Sequence, residues 1–142
     1  MPGGAPANRN ARVVTSETLS ERGAVVIVTG DLDLASAPQL YEEVGDRIAH
    51  GHRHFVIDLT DATFIDSVAM QALLVAFQPL RAEPDAAVVL AGARGVVERS
   101  LNVSGLGTLF SGFAGRHAAA DALARGEPQC SLWRTAAGRR PD

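Results

Sequence analysis

The chain predicts a single α/β domain, with a mixed sheet of four to five strands covered by about four helices. Three observations predict it. Short β-branched apolar runs alternate with segments of helical periodicity along most of the 142 residues. The inner runs, 24–29 (AVVIVT), 54–59 (HFVIDL) and 86–91 (AAVVLA), are nearly continuously apolar, as strands covered on both faces are. Only a few residues separate the first two runs, too few for a crossover, so the sheet should open with an antiparallel pair. The length suits one domain. The sequence is 46% hydrophobic but only 5% aromatic, so Val, Leu, Ile and Ala must build the core.

Residues 12–19 (RVVTSETL) alternate loosely and read as an edge strand. The 24–29 strand closes on Gly30-Asp31-Leu32-Asp33, a turn signal. Ser36 then opens a helix: Gln39 three residues on matches a capping box, and Pro38 falls in the first turn, where it is tolerated. Leu40, Val44 and Ile48 give this helix one apolar stripe, and Gly51 ends it. The 54–59 strand follows. From Val68, the positions Met70, Leu73, Leu74 and Phe77 share a helix face, which Pro79 ends or kinks near Gln78. After the 86–91 strand, Val96, Val97 and Leu101 mark a short helix stopped at Ser104-Gly105, with Gly105 placed as its terminating glycine. Residues 108–113 read as a last short strand, and 116–125 (RHAAADALAR) as a final helix. The folded part therefore spans 12–125. Residues 1–11, rich in Gly, Pro, Ala and Asn, read as a disordered tail. Residues 126–142, with Pro128, Gly138, Pro141, several arginines and one Trp133, read as a flexible second tail in which Trp133 is a docking or packing residue.

Bulk properties exclude several classes. A net charge of -3 and the lack of any Lys/Arg cluster argue against nucleic acid as the main partner. The single cysteine, Cys130, allows no intrachain disulfide and fits a reducing cytoplasm. No stretch approaches the ~20 apolar residues of a membrane span, and MPGGAPANRN lacks the apolar region of a secretory signal. A cytoplasmic protein without membrane insertion is expected.

Among candidate sites, Asp66-Ser67 stands out. Phe64 and Ile65 deliver the chain to this pair just as a helical pattern begins, which places Ser67 at a helix's positive end. By itself the pair is an ordinary cap contributing about 1 kcal/mol. Ser67 lacks a G-x-S-x-G elbow and a histidine at any recognisable spacing, so nucleophilic catalysis is not expected. His50, His52 and His54 could line one side of an extended segment. No Cys or acidic ligand joins them at zinc-like spacing, so they read as a solvated turn, and no metal or cofactor is expected. Asp31 and Asp33 read as turn residues using their carboxylates locally, in preference to an acid/base pair. Gly105-Leu106-Gly107 lacks the features of a phosphate loop.

Three segments together resemble one family. VVIVTGDLDLASAPQL resembles the second strand, acidic turn and first helix of STAS domains. FVIDLTDATFIDSVAMQALL resembles their central strand and the loop that opens the second helix, and VVERSLNVSGLGTLF their third helix. The resemblance covers about residues 12–125. It implies a bacterial anti-sigma factor antagonist, a non-catalytic regulator of sigma-factor-dependent transcription. Such a protein binds an anti-sigma factor that is also a serine kinase, is released when that kinase phosphorylates it, and is reset by a serine phosphatase. The phosphorylated residue would be Ser67, and the partner-binding face would include Asp31, Asp33, Thr63, Asp66, Ser67, Val68 and Met70. A second role known for the family is that of an accessory subunit of a membrane transporter of the lipid-transport ATPase type, not switched by phosphorylation. An enzyme such as a nucleotide hydrolase is the least supported reading. The sequence departs from the family where Val68-Ala69-Met70 stand in place of Ser or Thr, Gly and Leu. Alanine for glycine should strengthen the helix by ~1 kcal/mol. Its methyl is also expected to take room from a close partner, while Val68 removes a hydroxyl.

Overall fold

A computed structural model of the chain describes residues 12–106 and 110–126. Residues 1–11 and 127–142 of the two tails read from the sequence, Cys130 and Trp133 among them, and the start of the 108–113 strand lie outside the described residues. Five strands form one sheet in sequence order: β1 (Val14–Thr18), β2 (Gly23–Leu32), β3 (His54–Ile65), β4 (Ala87–Ala91) and β5 (Ser111–Phe113). The first pair is antiparallel and the other three are parallel. Among the described residues the α-helices are α1 (Ala37–Ala49), α2 (Ser67–Ala76), α3 (Gly95–Ser104) and α4 (Arg116–Arg125). A 3-10 turn at Gln78–Leu80 carries Pro79 and finishes the α2 segment.

The strand order fixes where the helices go. Each parallel connection steps to the next strand in the same direction, and right-handed crossovers then put α1, α2 and α3 on one face. The larger core lies there: Ala24, Val26, Phe55, Ile57, Val88 and Leu90 from the sheet meet Leu40, Val44, Leu73, Val97 and Leu101 from the helices. Phe55 and Phe77 meet edge to face with ring centroids 5.1 Å apart. The opposite face is covered by α4, whose Ala119, Ala122 and Leu123 pack on Val25, Val56, Val89 and Ala91. Alternate residues of β2, β3 and β4 thus enter two separate cores, which explains their unbroken apolar runs.

Two expectations are corrected. The first concerns strand length. β2 does not stop at residue 29 before Gly30-Asp31-Leu32-Asp33 but ends within it, and β3 does not stop at residue 59; the two run on to Leu32 and Ile65. They stay paired through two irregularities. Between the pairs Ile27–Asp58 and Thr29–Asp61, Leu59 and Thr60 of β3 face Val28 alone. Between Gly30–Ala62 and Asp31–Phe64, Thr63 is the extra residue. Both are β-bulges on β3, and they re-aim the strand as bulges do. Gly30, at φ 95°, supplies the left-handed conformation beside the second.

The second correction is the capping box. The Ser36 hydroxyl donates to the Asp31 carbonyl at 3.0 Å and accepts the Asp33 N–H at 2.9 Å, so it does not cap α1. The Gln39 side chain turns to β1, where Oε1 accepts the N–H groups of Val13 (2.7 Å) and Val14 (3.0 Å). Both residues satisfy backbone groups left over at the strand ends in preference to those of the helix.

Candidate functional site

The ends of β2 and β3, the loop into α1 and the start of α2 meet at one edge of the domain. The Asp66 N–H bonds the Leu32 carbonyl at 3.2 Å, which ties the entry of α2 to the end of β2. Asp66 is the N-cap of α2: its backbone is extended, and its Oδ1 accepts the Ala69 N–H at 2.8 Å. Ser67 is the first helical residue and is exposed. The capping role therefore belongs to the aspartate, and the serine hydroxyl is left on the surface at the helix's positive end.

Two further predicted residues join this edge. Thr63, in the second bulge, donates its hydroxyl to Asp31 Oδ1 at 2.6 Å across the strand pair. Asp33 is one turn away but serves its own loop, with Oδ1 accepting the N–H groups of Ala35 (3.1 Å) and Ser36 (3.2 Å). Val68 is exposed, whereas Met70 is half-buried and packs against the main core. Ala69 is fully buried, so its methyl enters the core and takes no room from the outer face. Of the sequence departures, Val68 is the one that alters the surface.

Exposed apolar side chains flank Ser67. Leu34 on the β2–α1 loop is 70% exposed, Phe64 on β3 is 42% exposed and Val68 is 44% exposed. Leu34 did not stand out in the sequence, and Phe64 did so only as half of the apolar pair before Asp66, because a period-2 or 3.6 pattern reports which residues face inward only once the strand bounds are known. Apolar groups beside the carboxylates of Asp31 and Asp66 form a mixed surface suited to a protein partner.

The histidines do not cluster. His50 Nδ1 lies 2.7 Å from the Asp46 carbonyl, and His54 Nε2 lies 3.0 Å from the Asp85 carbonyl. His52 is buried, not solvated, with Nδ1 3.1 Å from the Arg47 carbonyl. No group of three or more His, Cys, Asp or Glu among the described residues could hold a metal ion. No helix there is long and apolar enough to cross a membrane.

One charged residue went unnoticed in the sequence. Asp58 is buried in the middle of β3. Its Oδ1 accepts the Thr60 N–H (3.0 Å) and hydroxyl (2.6 Å), and its Oδ2 receives the Arg116 guanidinium at 2.9 and 3.0 Å. Burial pushes the Asp58 carboxyl up, but the Thr60 hydrogen bonds and Arg116 outweigh it and hold it below its usual value. The signal was present: a charge inside an apolar run must find a partner.

These features define an α/β domain with one helix-covered sheet, a solvent-facing serine at a helix N-terminus, and apolar and acidic groups around it. The chain belongs to the STAS domain family, whose model matches residues 13–119. The anti-sigma-F factor antagonist RsfB of Mycobacterium tuberculosis is 30% identical over 94 residues, covering 66% of this chain and 75% of RsfB. Among solved structures, an anti-sigma factor antagonist from Mycobacterium paratuberculosis superposes with a TM-score of 0.68 at 27% identity, over 78% of this chain and 92% of that one. A further neighbour from Thermotoga maritima reaches a TM-score of 0.71 at 16% identity, over 79% and 95% of the two chains, and shares the fold.

Proposed function

We propose that this protein is an anti-sigma factor antagonist. It binds an anti-sigma factor with serine-kinase activity through the Ser67 edge, and phosphorylation of Ser67 ends the complex. The observation that carries this reading is the placement of Ser67: exposed, one residue inside α2, and flanked by Leu34, Phe64 and Val68. The M. tuberculosis relative, named as an anti-sigma-F factor antagonist, supports the general role.

The physics favours a switch of binding over a switch of fold. Phosphate adds about -1.5 to -2 charges and strong acceptor oxygens. At the N-terminus of α2 this charge gains about 0.3–1 kcal/mol from the helix dipole. The Asp66 carboxylate already occupies the cap, so like charge offsets part of that gain. Pressed into an interface, the phosphate must also be desolvated, which costs several kcal/mol when unpaired. The interface cost is the larger. The domain keeps its shape and the complex dissociates, freeing the anti-sigma factor to hold its sigma factor. A serine phosphatase then restores the binding form, and no cofactor of the antagonist itself is needed.

The test is to incubate the protein with its host's anti-sigma kinases and ATP and to map the phosphate by mass spectrometry. Modification at Ser67, and none in Ser67→Ala, is the expected result. Modification elsewhere, or none with any kinase, would sink the switch.

A further inference from the structure

The segment that delivers Ser67 is not a simple strand end. It carries the two bulges of β3, and each has its own side-chain clamp. Thr63, the extra residue of the second, is held by Asp31. Thr60, in the first, has its N–H and hydroxyl both bound to Asp58 Oδ1. A bulge releases a backbone N–H from the ladder, and here the Asp58 carboxylate receives it. The register downstream depends on this, because a slip of one residue would exchange the exposed Phe64 with the buried Ile65.

Asp58 does not stand alone. Its other oxygen is gripped by Arg116, the first residue of α4, on the sheet face away from α1–α3, and Arg116 also reaches Glu17 of β1 at 3.5 Å. The Asp58 side chain is 8% exposed and the Arg116 side chain 35%. An arginine at the first position of a helix opposes the helix dipole, so it gains nothing there from its own helix. α4 otherwise rests on small residues, Ala119 and Ala122, with Leu123. Its apolar seat is small, so this ion pair contributes to its docking on the sheet.

We propose that Asp58 is a positioning residue for the Ser67 loop, and that Arg116 couples this loop to the docking of α4. When α4 is seated, Arg116 holds the carboxylate in the geometry that clamps the first bulge. When α4 lifts, Asp58 loses the guanidinium and opens to water, which competes with Thr60 for its oxygens; the clamp loosens, and residues 60–66 lose their fixed register. A ligand or partner that displaces α4 would thus change the presentation of Ser67 from the far side of the sheet.

Native-state amide exchange of Arg116→Gln against the unaltered protein tests this without any kinase. Exchange in α4 and in residues 60–66 should rise together, by tenfold or more, while α1 is unchanged. Arg116→Lys, which keeps the charge, should restore much of the protection in both segments. A rise confined to α4, or one that reaches α1 equally, would overturn the coupling. A second readout rests on the proposed role of Ser67: with the cognate kinase, Arg116→Gln should raise KM for the antagonist several-fold with little change in kcat. If the kinase never modifies Ser67 yet the exchange coupling holds, the functional reading fails and the coupling stands.

Discussion

Ser67 and Asp66 divide two roles that a helix N-terminus offers to one residue. Asp66 takes the Ala69 N–H, and Ser67 keeps its hydroxyl outside. The next three residues divide similarly between surface and core: Val68 faces out, Ala69 is buried and Met70 packs on the core. The departure from the family pattern therefore acts at two places. Ala69→Gly should lower stability by about 1 kcal/mol, measured by urea unfolding, and leave partner affinity unchanged. Val68→Ser should leave stability within about 0.5 kcal/mol and weaken binding by about 1 kcal/mol, measured by calorimetry, because it removes apolar area from the interface. The reverse pattern would place Ala69 on the outer face after all. From the sequence the glycine's replacement looked like the obstacle to a partner; only the burial of its methyl shows otherwise.

At the scale of elements, β1 and β3 each depend on groups that come from outside their own ladders. β1 is an edge strand fastened by the Gln39 side chain of α1, which accepts two of its N–H groups. Gln39→Ala leaves both without that acceptor and should cost about 1–3 kcal/mol, with faster amide exchange concentrated in β1. Loss of stability with no change in β1 exchange would contradict this. β3 is crossed by a tight approach at Gly92, which follows β4. Gly92 sits at φ 76°, and a Cβ there would overlap the Thr60 hydroxyl. Gly92→Ala should therefore destabilise the fold by more than about 2 kcal/mol, through both strain and overlap, as chemical denaturation would measure. The existence and order of every strand and helix among the described residues were legible in the sequence, because the apolar runs and helical stripes are strong. The ends of β2 and β3 were not. Past Leu59 the residues become polar, and only pairing between distant segments, bulges included, keeps them in the sheet.

Across the whole molecule, α4 is joined electrically to the centre of the sheet through Asp58. Its carboxyl titrates below the ordinary value near about 3.9 that it has in the unfolded chain. A depressed folded value means that the unfolded chain binds the proton more readily. The contribution of Asp58 is then complete above the unfolded value and is lost as pH falls below it, through the lower folded value. Stability measured from pH 5 downward should fall less steeply in Asp58→Asn than in the unaltered protein, although the variant is less stable at neutral pH; parallel curves would contradict the role of the pair. The site was legible in part. The Asp66-Ser67 pair, Asp31 and Thr63 meet at one edge, a grouping that came from the family resemblance and not from the spacing of the residues. Asp58, Thr60 and Arg116 were not seen as a set, since 58 residues separate the ends of that ion pair and only the fold brings α4 over β3.

In the proposed switch, charge at Ser67 controls binding and not folding. The most direct measurement is the affinity of one purified preparation for its anti-sigma kinase, before and after stoichiometric phosphorylation at Ser67, with the unfolding transition recorded on both. Phosphorylation should lower the affinity at least a hundredfold, about 2.7 kcal/mol, with the unfolding free energy changed by no more than about 1 kcal/mol. Equal affinity of the two forms, or loss of binding explained by unfolding of the phosphorylated domain, would contradict it.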